Sequence, residues 1–145
     1  MSLTRKQQTA WILAALVLLG LILRLGAIGA LRSWEHPSAM EHASLAASLL
    51  QHGNFSFGDF GYYGPSSVQS PPYPLLLAGL FWLTQSASLG YLAAMILNAL
   101  MGAATVALVY PLARTLGSSR GVALVAAGAV AIWPTQIYAA TFAQA

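Results

Sequence analysis

Apolar positions run from Trp11 to Leu31 with a single interruption at Arg24, and polar and aromatic residues then dominate from Arg32 to Pro72. From Tyr73 the chain is apolar again almost to its end. The pattern predicts one long helix, a loop, and a run of closely spaced helices. At 1.5 Å per residue the first stretch covers the roughly 30 Å hydrocarbon core of a bilayer. It is also longer than the roughly 7–15 residues of a signal-peptide core. The small residues Gly26 to Ala30 therefore read as part of a retained span, not as a cleavage site. Further spans are expected at about 72–89, 91–113 and 121–142, with a tight turn at Gly90 and a break at Leu116-Gly117-Ser118-Ser119. Pro134 is expected to kink the last of them. The expected fold is all-α: a polytopic membrane protein with four transmembrane helices, residues 1–145 forming a single membrane segment.

The loop over 32–71 carries its own local signals. Ser38 is a good N-cap, Glu41 three residues later completes a capping box, and Gly53 supplies a stop, so a short amphipathic helix is expected over 39–52. Glu41, Leu45, Ser48, Leu49 and His52 share one stripe of that helix, and Met40, Ala43, Ala47 and Leu50 another. Apolar residues on two sides suit a helix wedged between a membrane surface and protein. The segment Phe55 to Gly64, aromatic and punctuated by glycine, suits the interfacial belt of a bilayer. Pro71, Pro72 and Pro74 sit where a helix start tolerates missing N–H groups.

Composition narrows the class. The chain is 58% hydrophobic and 6% charged, whereas soluble domains carry roughly 25% charged residues. Without cysteine there is neither a disulfide framework nor a thiolate metal site. The net charge of +3 is spread along the chain without a basic cluster, which excludes nucleic acid as the expected partner. No cofactor is expected. No metal site is expected either, because His42 and Glu41 are consecutive on a helix and point about 100° apart. Orientation is undecided by charge under four spans: Arg5, Lys6 and the α-amino group on one face balance Arg32, Arg114 and Arg120 on the other. The last two spans are dense in alanine and glycine, which lets helix backbones approach closely in lipid.

The order of short motifs is more specific than any one of them. Arg24-Leu25 falls late in span one, and Glu41 precedes a helix with Ala46, Leu49, Leu50 and Gly53, followed by Phe55-Ser56-Phe57. Gln69-Ser70-Pro71-Pro72-Tyr73-Pro74-Leu75 opens span two, and Val109-Tyr110-Pro111 and Trp133-Pro134 follow in frame. In this order and spacing the chain resembles the N-terminal part of GT-C fold glycosyltransferases. These depend on polyprenyl-phosphate sugars and include relatives of protein O-mannosyltransferases and of the lipid A aminoarabinose transferase. The resemblance covers nearly the whole chain, but only the opening spans of such enzymes. It implies a bacterial inner (plasma) membrane location with loop 32–71 extracytoplasmic. It also implies that a carboxylate in that loop activates the acceptor while the lipid phosphate leaves. The family's usual Asp-Glu pair falls on Ser38 and Ala39, and Glu41 matches a variant pattern instead. The lysine that often precedes the re-entry proline is Ser70 here.

Each candidate residue carries two readings. Glu41 is either the general base, with a pKa tuned by desolvation, or the capping partner of Ser38. Asp59 is either a second active-site acid or a turn residue in Gly-Asp-Phe-Gly. Arg24 either binds the lipid-linked phosphate or snorkels to the headgroups. Arg114 and Arg120 either contact phosphate through the guanidinium fork or anchor at the interface. The expected function is transfer of a sugar from a polyprenyl-phosphate carrier to an acceptor on the outer face. The rival is a small non-catalytic membrane subunit of a larger complex that keeps the same fold. Expected partners are membrane lipids, the polyprenyl-phosphate sugar, and further transmembrane helices from the same polypeptide or from other subunits. The 145-residue chain alone is expected to be inactive.

Overall fold

The computed structural model describes residues 4–35, 41–57 and 70–142, with Glu41 described by its backbone alone. Its elements are α1 (Arg5–Leu31), α2 (Glu41–His52), α3 (Pro72–Thr84), α4 (Ala87–Thr115), α5 (Arg120–Ala131) and α6 (Pro134–Ala139). Among the described residues there is no strand. Among the described residues two helices, α1 and α4, are long and apolar enough to cross a membrane. Their 27 and 29 residues correspond to about 40 and 43 Å of helix. The 13 residues of α3 and 12 of α5 give only about 20 and 18 Å, short of the roughly 30 Å core.

The helix boundaries explain why α3 and α5 fall short of spanning length. The turn expected at Gly90 lies instead at Gln85-Ser86. Gln85 adopts a left-handed conformation (φ 51°) and its N–H donates to the Phe81 carbonyl at 3.0 Å. The Thr84 hydroxyl donates to the carbonyls of Leu80 and Ser86 and so closes the turn. Gly90 is a buried residue inside α4, placed against the Phe81 ring. A Cβ there would collide with the Phe81 ring, and Phe81 is itself packed on Tyr91 with ring centroids 5.1 Å apart. Gly90→Ala is therefore expected to destabilise this hairpin by about 1–3 kcal/mol through overpacking. Hydrogen exchange of the α3 amides would report it as lost protection. At the other end, Pro134 does more than kink: α5 stops at Ala131, and α6 begins only after Ile132 and Trp133.

The chain folds as two compact units. One comprises residues 1–31 and 97–141. Here α1 packs against α5 and α6 around Val106, Ala127 and Ala131, with Leu13, Leu16 and Val17 of α1 and Val109 and Tyr110 of α4 closing over them. Ala123, Ala127 and Ala131 form a fully buried i, i+4 stripe on α5, which lets backbones approach closely. Gly128 faces Leu16 and Gly20 faces Ala131, so α1 and α5 run parallel. Gly102 faces Arg24 while Val109 and Tyr110 pack in the cluster with Leu13, so this part of α4 runs antiparallel to α1. The unit is an up–down–up arrangement. Leu18, Ile22, Leu108 and Val125 on its outside are all more than half exposed.

The other unit comprises mainly residues 32–96. There α2 packs along α3 over a core of Ala46, Leu77, Ala78 and Ala94, with Leu49, Tyr73, Phe81 and Tyr91 packed against it. The His42 ring meets Tyr73 edge-on, centroids 5.4 Å apart. Gly53 ends α2 in the left-handed region (φ 67°), its N–H donating to the Leu49 carbonyl at 3.1 Å, as the sequence leads one to expect. Ser38, the expected N-cap, lies outside the described residues.

Candidate functional site

The most constrained polar group among the described residues is Arg24, on the inner face of α1 and 1% exposed. Its position follows from the sequence of α5 and α6. In a continuous helix the Val130 carbonyl would accept from the N–H of residue 134, but Pro134 has none. The break at Ile132-Trp133 also leaves Ala131 at the end of α5, where carbonyls lack partners and the helix dipole is negative. Arg24 fills the gap. Nη2 donates to the Val130 carbonyl at 3.3 Å, and Nη1 donates to the carbonyls of Ala131 at 3.3 Å and Gly20 at 2.9 Å. The neighbouring turn is closed by Ile132, whose N–H donates to Gly128 at 3.2 Å.

Two glycines make room for the guanidinium. A Cβ on Gly20 would lie 3.0 Å from Nη1, and one on Gly102 would lie 2.5 Å from Nε. The side chain thus threads between α1, α4 and α5, and Nε is buried there without a hydrogen-bond partner. Both terminal nitrogens are directed at backbone carbonyls. This geometry makes Arg24 a structural donor at a helix break, with three of its five N–H groups donated to backbone carbonyls. The frame of Arg24 was not read from the sequence, although Pro134 does mark Val130 as a carbonyl that loses its donor.

The other candidate cations are held differently. Arg114 is exposed, and its Nη1 donates to the Ser118 carbonyl at 2.6 Å. The same turn returns the Ser118 N–H to Ala113 at 3.1 Å and the Gly117 N–H to Arg114 at 3.2 Å, with Gly117 at φ 83°. Arg120 is the first residue of α5, after the N-cap Ser119, whose hydroxyl accepts from the Val122 N–H at 3.4 Å. Arg114 and Arg120 therefore flank one short loop, at the end of α1–α4 packing remote from Arg24. Glu41 lies at the start of α2, its side chain outside the described atoms, and Asp59 lies outside the described residues altogether. Glu35 is exposed and paired with Arg32 at 3.0 Å. Among the described residues no group of His, Cys, Asp or Glu could hold a metal ion. No family model matches the chain, and no curated protein or solved structure matches it.

Proposed function

We propose that this chain is the N-terminal membrane segment of a GT-C-type glycosyltransferase of the bacterial plasma membrane. It would help move a sugar from a polyprenyl-phosphate carrier to an acceptor on the outer face. The observation that carries the reading is that two described helices are long and apolar enough to span a membrane. With α1 and α4 as antiparallel crossings, Arg5, Lys6, Arg114 and Arg120 fall on one face of the membrane. Only Arg32, paired with Glu35, falls on the other. Counted over two crossings in place of four, the charges support, by the positive-inside rule, an extracytoplasmic segment from Arg32 to Ser86. That is the face on which lipid-linked sugars are used by the enzymes this chain resembles.

Glu41, at the start of α2 in that segment, is the proposed base for the acceptor hydroxyl. The cations that stabilise a leaving phosphate are to be sought outside the described site. Arg24 donates to three backbone carbonyls, and Arg114 and Arg120 fall on the cytoplasmic side in this orientation. A second reading, a non-catalytic subunit of a larger membrane complex, is favoured by this same commitment of Arg24 and by the broad exposed apolar faces of α1 and α4. Glu41→Gln in the complete polypeptide, assayed for transfer from a polyprenyl-phosphate sugar, separates the two. General-base loss costs about 10²-fold or more, while glutamine still serves a capping box. Unchanged turnover would remove Glu41 from the chemistry. Absence of any transfer by the unmodified polypeptide would favour the subunit.

A further inference from the structure

The unit built from α2, α3 and the first turns of α4 encloses a cleft of about 470 Å³ beside the Gln85-Ser86 turn. That is within the roughly 300–1,000 Å³ of small-molecule sites. Its lining is unusual in one respect: among the described residues it contains hydroxyls, amides and aromatic rings but no charged side chain. Gln51 reaches it from α2, and Trp82, Gln85 and Ser86 border it from α3 and the turn, with Tyr91 of α4 opposite. Gln85 Nε2 donates to the Trp82 carbonyl, which leaves the amide oxygen and a second N–H for another molecule. Ser44, also in the wall, has a buried hydroxyl with no hydrogen-bond partner, and such groups in a folded protein call for an explanation. Trp82 is 64% exposed, so its ring is open to stacking.

We infer that this cleft is a subsite for the neutral sugar of an amphipathic glycoside. A sugar ring offers many hydroxyls to the two glutamine amides and a flat apolar face to Trp82. An anionic head would find no cation in the lining, and a bare hydrocarbon would bury the amides without partners, which is unfavourable. Ala43, Ala47 and Leu50, along the α2 side of the cleft, suit the first carbons of the attached chain. The inference rests on the transferase reading and specifies its acceptor as a neutral glycoside, since the phosphate of the polyprenyl-linked donor would meet no cation in this lining.

The test uses the full chain in phospholipid nanodiscs and a photoactivatable decyl glucoside, with crosslinked peptides mapped by mass spectrometry. Crosslinks are expected in 43–51 and 81–91, competed by excess decyl glucoside but not by decanol or decyl phosphate. Trp82→Ala and Gln51→Ala should each lower labelling by about tenfold or less, the range of one stacking or hydrogen-bonding contact. Circular dichroism should be unchanged in both variants. Equal competition by decanol, or labelling spread along α1 and α4, overturns the subsite. Specific labelling with no transfer activity in the complete polypeptide supports the subsite and defeats the transferase reading. Transfer without labelling defeats the subsite alone.

Discussion

Arg24→Leu is expected to destabilise the unit formed by α1, α5 and α6 by about 3 kcal/mol or more, since each buried carbonyl left unpaired costs about 1–3 kcal/mol. The Val130 and Ala131 carbonyls both lose their donor, and no water is at hand in a bilayer to replace it. Arg24→Lys should recover only part of the loss, because an ammonium is a point donor and cannot span two carbonyls in a fixed fork. Gly102→Ala attacks the same site from the other side: its Cβ would stand 2.5 Å from Nε, and overpacking of this kind costs about 1–3 kcal/mol. The decisive comparison is a double-mutant cycle with Pro134→Ala. Alanine restores an N–H four residues after Val130, so Arg24→Leu should cost less in that background than in the native one. Thermal unfolding in mild detergent, followed by circular dichroism, reads all four proteins. Full stability in Arg24→Leu, with loss of phosphate-lipid binding instead, would return Arg24 to the role of a phosphate ligand.

How much of this was legible beforehand depends on whether the partner of a residue is local. The end of α2 was, because Gly53 needs only its own backbone to adopt the left-handed region and close the helix on Leu49. The prolines at the start of α3 were legible for the same reason. Gly90 misled because a glycine between two apolar runs looks like a turn. Its actual role is to receive the Phe81 ring, a contact made across the hairpin that pattern alone does not reveal. The true turn is made by Gln85 in a left-handed conformation, a residue type with no strong preference for it. Arg24 stood out as a charge in an apolar run, yet its partners are backbone carbonyls 106 and 107 positions away. Backbone carbonyls leave no letter in the sequence. Of the acids on which the chemistry was expected to rest, Glu41 is described by its backbone alone and Asp59 not at all.

Single cysteines in this cysteine-free chain should give an all-or-none answer about orientation: Ser88→Cys labels with an impermeant maleimide from outside, and Ser118→Cys only after the membrane is opened. The four-span expectation requires the opposite at both positions, since it carries α3 across the membrane. Two physical terms oppose that crossing. Helix α3 is about 20 Å long, so it would leave about 10 Å of mismatch, and at fractions of a kcal/mol per Å this amounts to several kcal/mol. In addition α2 lies along α3, with Gln51 on the same cleft as Gln85. Drawing α3 through the bilayer would therefore draw Gln51 and His52 toward the hydrocarbon with it, where polar side chains are costly. Leaving α2 and α3 on the outer face avoids both terms and gathers Arg5, Lys6, Arg114 and Arg120 inside. Labelling of Ser88→Cys only after permeabilisation would mean that α3 crosses. The loop 116–119 would then face out, and the charge argument for an extracytoplasmic Glu41 would be lost with it.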